Sequence, residues 1–349
     1  MNVKKNIFWT LGAILIAFLT IKTVFSQNRA LSIPAILKML DHASVGWLIA
    51  TFISMLGFIV FEGLAIRYLL NHLGYKTSFF NGLLYSASDQ FFSAITPSAT
   101  GGQPASALFM RTRKIPTSAI TVCLLANLIM YTLSTLVIGI SSVVVMPEVF
   151  ENFDSLSRFF IIFGTVCMAA LTVLFYILLR HSSFLRRFET VLLGFLHKLH
   201  IIRDLDSWNG RIEKHIADYK LCAKMLSHKA PVLVVVFFLN LAQRVSQISV
   251  TPLLNVATRK APTTGRLVEL WIVQALSQIG SYCVPIPGGM GVADYLMIDG
   301  FTSMFNQDYA YLLQTLSRSI SFYICTLISL VIVVIGYVLL IIKGHKEKS

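Results

Sequence analysis

Charge is scarce in this sequence. Only 13% of its 349 residues are Asp, Glu, Lys or Arg, whereas roughly 25% is usual in a soluble domain. Acids are the scarcer sign, 16 against 29 Lys and Arg. Five cysteines are too few for a secreted disulfide scaffold. Cys123, Cys167, Cys283 and Cys325 sit inside apolar runs, Cys222 lies in a basic amphipathic stretch, and none forms a CxxC pair, so they read as small apolar fillers. No P-loop, GxSxG or HExxH occurs, which removes the motifs of soluble nucleotide-binding, hydrolase and zinc-peptidase chemistry. His197 and His200 have no carboxylate at zinc spacing and read as polar-face residues. Neither a metal nor a cofactor is expected.

What the sequence has in abundance is apolar surface. Hydrophobic residues make up 56% of the chain and mean hydropathy is +0.73, which excludes a water-soluble globule and intrinsic disorder. A bilayer-spanning helix needs about 20 mostly apolar residues. Six stretches qualify: Ile7 to Phe25, Val45 to Leu70, Ser118 to Met146, Arg158 to Leu179, Pro231 to Leu254 and Ser319 to Ile342. Two others, Ser78 to Met110 and Leu267 to Phe305, are broken near their middles by Pro and Gly. Broken helices at membrane depth persist only where protein or a polar cavity surrounds the freed backbone, so function is expected there. The expected fold is an all-α integral membrane protein, a polytopic helical bundle of about six full spans plus two re-entrant broken hairpins.

The first span follows Lys4 and Lys5 like a secretory leader, but its length and the lack of an A-x-A site favour an uncleaved span with a cytoplasmic N-terminus. Threaded from there, most Lys and Arg fall inside, including those from Arg180 to Lys229. The positive charge is thus an orientation signal for a bacterial cytoplasmic membrane and not a nucleic-acid footprint. Arg259, Lys260 and Arg266 fall outside, against the trend.

This threading requires both hairpins to be re-entrant, from opposite sides. The order span, hairpin, span then occurs twice, over 45–146 and 231–342, joined by a connector at 181–229 within a single polytopic domain, 1–349. The hairpin tips are alike: TPSATGGQPASALFM from Thr96 to Met110 and VPIPGGMGVADYLMI from Val284 to Ile298. Read together they make an inverted repeat, a transporter architecture; read apart they are two independent Pro-Gly kinks. The connector carries apolar residues at helical spacing among Lys and Arg, as in interfacial helices on an anionic leaflet or in a solvated connector packed on the domain.

Polar residues inside spans are costly and face a partner or a cavity. Asn240, Gln243, Arg244, Gln247 and Thr251 form one helical stripe, Gln274, Ser277, Gln278 and Ser281 a second, and Asn127, Tyr131 and Ser134 a shorter third. Single polar residues usually join helices, but three stripes beside two broken helices point to a polar cavity. The acids near it are Glu62, Asp89, Glu269 and Asp294, and the bases Arg111, Arg244 and Arg318. Glu62 and Arg67, five apart, are awkwardly spaced for a local ion pair. Gly101-Gly102 precedes Pro104, which suits the first turn of a helix, and free amides at a helix start attract phosphate or carboxylate. Pro287-Gly288-Gly289 offers the same at the second tip. As a plainer alternative, each Gly pair is a tight turn.

The run PIPGGMGVADY, Pro285 to Tyr295, resembles the Pro-Gly-Gly-x-Gly-x-x-acid signature of the transmembrane region of lysylphosphatidylglycerol synthase/flippase proteins, the multiple peptide resistance factor family. SAITPSATGGQPASALFMR, Ser93 to Arg111, resembles that family's first tip and the basic residue after it. The resemblance covers roughly Val45 to Ile342, with two departures: Asp294 stands where Glu is usual, and Ala99-Thr100 precedes the first Gly pair. It implies a membrane part that moves an aminoacylated lipid between leaflets, joined in full-length members to a soluble aminoacyl transferase. Here seven residues follow Ile342, so catalysis is not expected of this chain alone.

The expected function is a phospholipid translocase. Its substrate-binding residues are Gly101, Gly102, Arg111, Arg244 and Gln247 with Gln278, Pro287, Gly288 and Gly289. A cationic headgroup would meet Asp89, Glu269 or Asp294. The rival reading is the membrane subunit of a phosphatidylglycerol lysyltransferase or a lipid-linked glycosylation system, working with a separate soluble enzyme.

Overall fold

The computed structural model describes residues 43–96, 99–181, 205–227, 229–258, 263–282 and 291–346, with 183–184, 186–187, 190–191, 284 and 289 between them. No strand occurs among these residues. Five helices are long and apolar enough to cross a membrane: Val45–His72, Thr117–Val145, Ser155–Arg180, Ala230–Thr258 and Gln307–Ile342. At 1.5 Å per residue the shortest, of 26 residues, is about 39 Å long, more than the ~30 Å hydrocarbon core. Their outward faces carry exposed Phe, Ile, Leu and Val, as on Ser155–Arg180 with Phe159, Ile162, Val166 and Val173. Lipid, not water, is the solvent such a surface fits. The expected span Ile7 to Phe25 lies outside the described residues.

In chain order the elements are α1 (Val45–His72), α2 (Phe79–Ile95), α3 (Gly102–Thr112), α4 (Thr117–Val145), α5 (Pro147–Glu151), α6 (Ser155–Arg180), α7 (Leu205–Ser227), α8 (Ala230–Thr258), α9 (Thr264–Ser281), α10 (Val292–Thr302) and α11 (Gln307–Arg318). A π-helical turn, Ser319–Ile324, continues α11 into α12 (Cys325–Lys346). The last span therefore begins twelve residues earlier than the apolar run at Ser319 indicates. α11 is amphipathic, burying Ala310, Leu313 and Leu316 against the bundle while Gln307, Asp308 and Tyr311 stay exposed, so apolar-run reading passes over it.

α1 and α8 pack along their whole length and run antiparallel. The Ser44 amide donates to Ala257 O at 2.8 Å at one end, and Lys229 Nζ donates to His72 O at 3.5 Å at the other. Each is followed by a hairpin, α2–α3 or α9–α10, and then by a long helix. The contacts repeat with the halves exchanged: α1 touches α2 and α4 as α8 touches α9 and α11, and α2 packs on α12 as α9 packs on α4. The same succession of contacts thus occurs in both halves, whose first helices, α1 and α8, run antiparallel. Among the described helices α6 has no counterpart, and it lies across α4 and α9.

Small residues allow the closest crossings. A Cβ on Gly82 of α2 would lie 2.4 Å from Gly63 O of α1, so backbone meets backbone where α2 turns back into the bundle. The described face of α7 buries Ile216, Tyr219, Cys222 and Leu226 in the cluster that holds Ile115, Ala119 and Cys123, and Tyr219 Oη donates to Leu178 O at 2.9 Å. That part of the connector packs on the bundle.

Both arms of the first hairpin return to the end where α1 finishes, and both arms of the second to the end where α8 finishes. A membrane-impermeant maleimide tests this arrangement in a cysteine-free background. Cysteines placed at the exposed positions Thr263 and Gln307 are expected to label from outside the cell, and one at the exposed Thr112 only after cytoplasmic access. Labelling of 112 and 263 from the same side would contradict the arrangement.

Candidate functional site

The two hairpin tips, the middles of α1, α4, α6 and α8, and the junction of α11 with the π turn border a cavity of about 410 Å³, within the ~300–1,000 Å³ of small-molecule sites. One wall is apolar, from Met168, Leu171 and Phe175 of α6. Much of the remaining lining is polar and takes part of each stripe, Asn127 and Tyr131 from α4 and Gln243, Arg244 and Gln247 from α8, with the whole of the α9 stripe.

The stripe on α8 divides by depth. At its ends it joins helices: Asn240 Nδ2 donates to Asn127 Oδ1 at 3.0 Å, and Thr251 Oγ1 donates to Gln274 Oε1 at 2.9 Å. In the middle Gln243, Arg244 and Gln247 line the cavity. Gln274, Ser277, Gln278 and Ser281 all line it from α9.

Arg244 is the dominant feature. It is 2% exposed, yet among the described residues no carboxylate forms an ion pair with it. Its guanidinium lies among three rings, with Cζ 4.3 Å from the centroid of Tyr131, 4.9 Å from Phe58 and 5.9 Å from Tyr282. Cation–π attraction to such rings is worth about 0.5–2 kcal/mol each and replaces part of the lost hydration. Nη1 donates to Tyr282 Oη, while Nε and Nη2 have no acceptor among the described residues. Buried unmet donors on a cation are costly, and these two border a cavity. Gln103 Oε1, Gln243 Oε1, Gln247 Oε1 and Ser277 Oγ, also on the lining, are likewise without partners.

Asp89 lines the cavity from α2, where Ser93 Oγ donates to its Oδ1 at 3.0 Å and Gln103 Nε2 to its Oδ2. Gly102, the first residue of α3, lies against it: a Cβ there would be 1.9 Å from Asp89 Oδ1. α3 thus opens at Gly102, two residues before Pro104, and Gly101 caps it with its amide donated to Thr96 Oγ1 at 2.9 Å. At the second tip Gly291, at φ +83°, caps α10, and its amide donates to Asp294 Oδ2 at 3.0 Å. Each tip helix therefore has one of the chain's own carboxylates at its positive end.

Asp294 also accepts from Gln314 Nε2 at 2.6 Å and pairs with Arg318 Nε at 3.1 Å. Arg318 lines the cavity just before the π turn; Asp294 does not. Gly289 reaches the lining, whereas Pro287 and Gly288 lie outside the described residues. Arg111 is exposed at the end of α3, and Glu269 is half-buried on α9; neither borders the cavity. Glu62 has turned away from Arg67: its Oε2 accepts from Ser86 Oγ at 3.0 Å and Gln243 Nε2 at 3.2 Å, while Arg67 donates to Thr77 O.

Long apolar helices, two broken hairpins and a polar cavity between them define a polytopic membrane protein. The family described as lysylphosphatidylglycerol synthase TM region matches residues 9–329, and the chain belongs to that family. It is similar to a UPF0104 membrane protein of Archaeoglobus fulgidus, 22% identical over 253 residues, which span 72% of this chain and 74% of the relative.

Proposed function

We propose that the cavity binds the headgroup of a phospholipid and that the protein moves that lipid across the bacterial cytoplasmic membrane. The observation that supports this most is Arg244, a buried cation with two unmet donors on the lining of a cavity that has both polar and apolar walls. A phosphodiester offers a compact anion with several acceptor oxygens, and guanidinium matches it with two parallel N–H groups. Arg244 takes the phosphate, and the free amide oxygens of Gln103, Gln243 and Gln247 receive hydroxyl or ammonium donors of the headgroup. The acyl chains leave along the apolar wall of α6. A volume of about 410 Å³ holds a headgroup and leaves the chains in the bilayer. The starts of the tip helices already have Asp89 and Asp294 beside them, so the phosphate goes to Arg244 in this reading. Family membership supports a lipid setting, and the family's description names lysylphosphatidylglycerol, an aminoacylated phosphatidylglycerol.

Titration of detergent-solubilised protein with short-chain phosphatidylglycerol tests this directly. Saturable binding that a matched uncharged diacylglycerol does not compete for is expected. Equal binding of both lipids would leave Arg244 without a phosphate to hold.

A further inference from the structure

Glu62 of α1 and Asp89 of α2 are each 7% exposed and line the same cavity. Two like charges in one buried, water-poor site do not both ionise, so the pair holds a proton. Ser86, Gln243, Ser93 and Gln103 donate to the remaining lone pairs, which suits a single shared negative charge. Gln243 donates to Glu62 while its neighbour Arg244 borders the cavity. With one proton the pair carries −1 and Arg244 carries +1, so the cluster is neutral.

A phosphodiester docked on Arg244 with no ammonium beside it, as in phosphatidylglycerol, adds one negative charge in a water-poor site, where net charge is costly. A second proton on the carboxyl pair restores neutrality. The other groups that face the pair are Arg244 from α8, Arg318 from α11, Tyr131, Tyr282 and Cys325, residue types whose ordinary proton exchange lies above neutral pH, which leaves the carboxyl pair to take the proton.

We propose that Glu62 and Asp89 form a proton-carrying site that takes up one proton when a phosphate anion binds Arg244 and gives it up on release, so that lipid movement is coupled to proton movement in the same direction. The proton comes from water as a carboxyl O–H forms, and it returns to water when that bond breaks. This rests on the phosphate reading above, and linkage makes it reciprocal: lowering pH tightens anion binding.

Calorimetric titration of the wild-type protein with short-chain phosphatidylglycerol, in two buffers of different ionisation enthalpy near neutral pH, counts the protons. About one taken up per lipid is expected, with affinity rising up to tenfold per unit fall in pH. The double variant Glu62→Gln/Asp89→Asn is neutral at the pair without any proton, so its binding should lose both proton uptake and pH dependence. Binding without proton uptake in the wild type overturns the proton site and leaves the phosphate reading intact. No saturable binding at any pH overturns both. The wild-type count decides the matter even if the double variant does not fold.

Discussion

Arg244→Met should weaken phospholipid binding by about 10²–10⁴-fold while leaving the melting temperature unchanged or raised. The binding loss follows from two charge-assisted hydrogen bonds at about 1.5–3 kcal/mol each. The stability expectation follows from the surroundings of Arg244. Breaking a buried salt bridge costs about 3–5 kcal/mol because a partner charge is abandoned, but here no carboxylate among the described residues is at ion-pairing distance, Met also packs against Phe58, Tyr131 and Tyr282, and the carboxyl pair left at −1 can take up a second proton from water. Arg244→Lys keeps the charge and loses the planar fork, so an intermediate affinity is expected. A large drop in melting temperature with lipid affinity unchanged would make Arg244 a structural residue. The titration described above, run beside a thermal melt, separates the two.

The tip glycines should behave unlike each other. Gly102→Val should prevent accumulation of folded, monodisperse protein, and even Gly102→Ala should be costly. The added Cβ falls 1.9 Å from Asp89 Oδ1 and 2.1 Å from Ser93 Oγ, on helices that cannot part without separating α2 from α3. Overpacking of this kind costs about 1–3 kcal/mol or more. Gly289, at φ +61°, has its nearest neighbour, Ser281 Cβ, at 3.2 Å. Gly289→Ala meets mainly backbone strain, about 1–2 kcal/mol, and should still give folded protein. Size-exclusion profiles and thermal melts of the three variants check this. If Gly102→Val folds normally, the α2–α3 contact is looser than the structure shows.

Periodicity made the long helices and the polar stripes readable, because burial inside a bundle leaves a 3.6-residue pattern whatever the partners are. It placed Arg244, Gln247 and Gln278 on one cavity. It could not reach Phe58, Tyr131 and Tyr282 as rings around Arg244, since aromatic residues in an apolar span carry no mark of which cation they face. Nor could it pair Glu62 with Asp89, 27 positions apart on different helices, or show Gln103 bonded to Asp89. The Pro-Gly runs marked both tips, yet the occupation of their helix ends by Asp89 and Asp294 depends on the hairpin fold. Arg111 and Glu269 show the opposite failure: charge near a broken helix drew attention, and the structure leaves both outside the cavity. α11 escaped apolar-run reading because only one of its faces is buried.

The central claim, that this cavity carries phospholipid from one leaflet to the other, is tested most directly in vesicles holding the purified protein and a trace of acyl-labelled phosphatidylglycerol, with an impermeant quencher added outside. The account predicts that label initially in the inner leaflet becomes quenchable in vesicles with wild-type protein, but not in vesicles with Arg244→Met or in protein-free vesicles. Quenching confined to the outer leaflet in all three, or equal loss of inner-leaflet label with wild type and Arg244→Met, would contradict it.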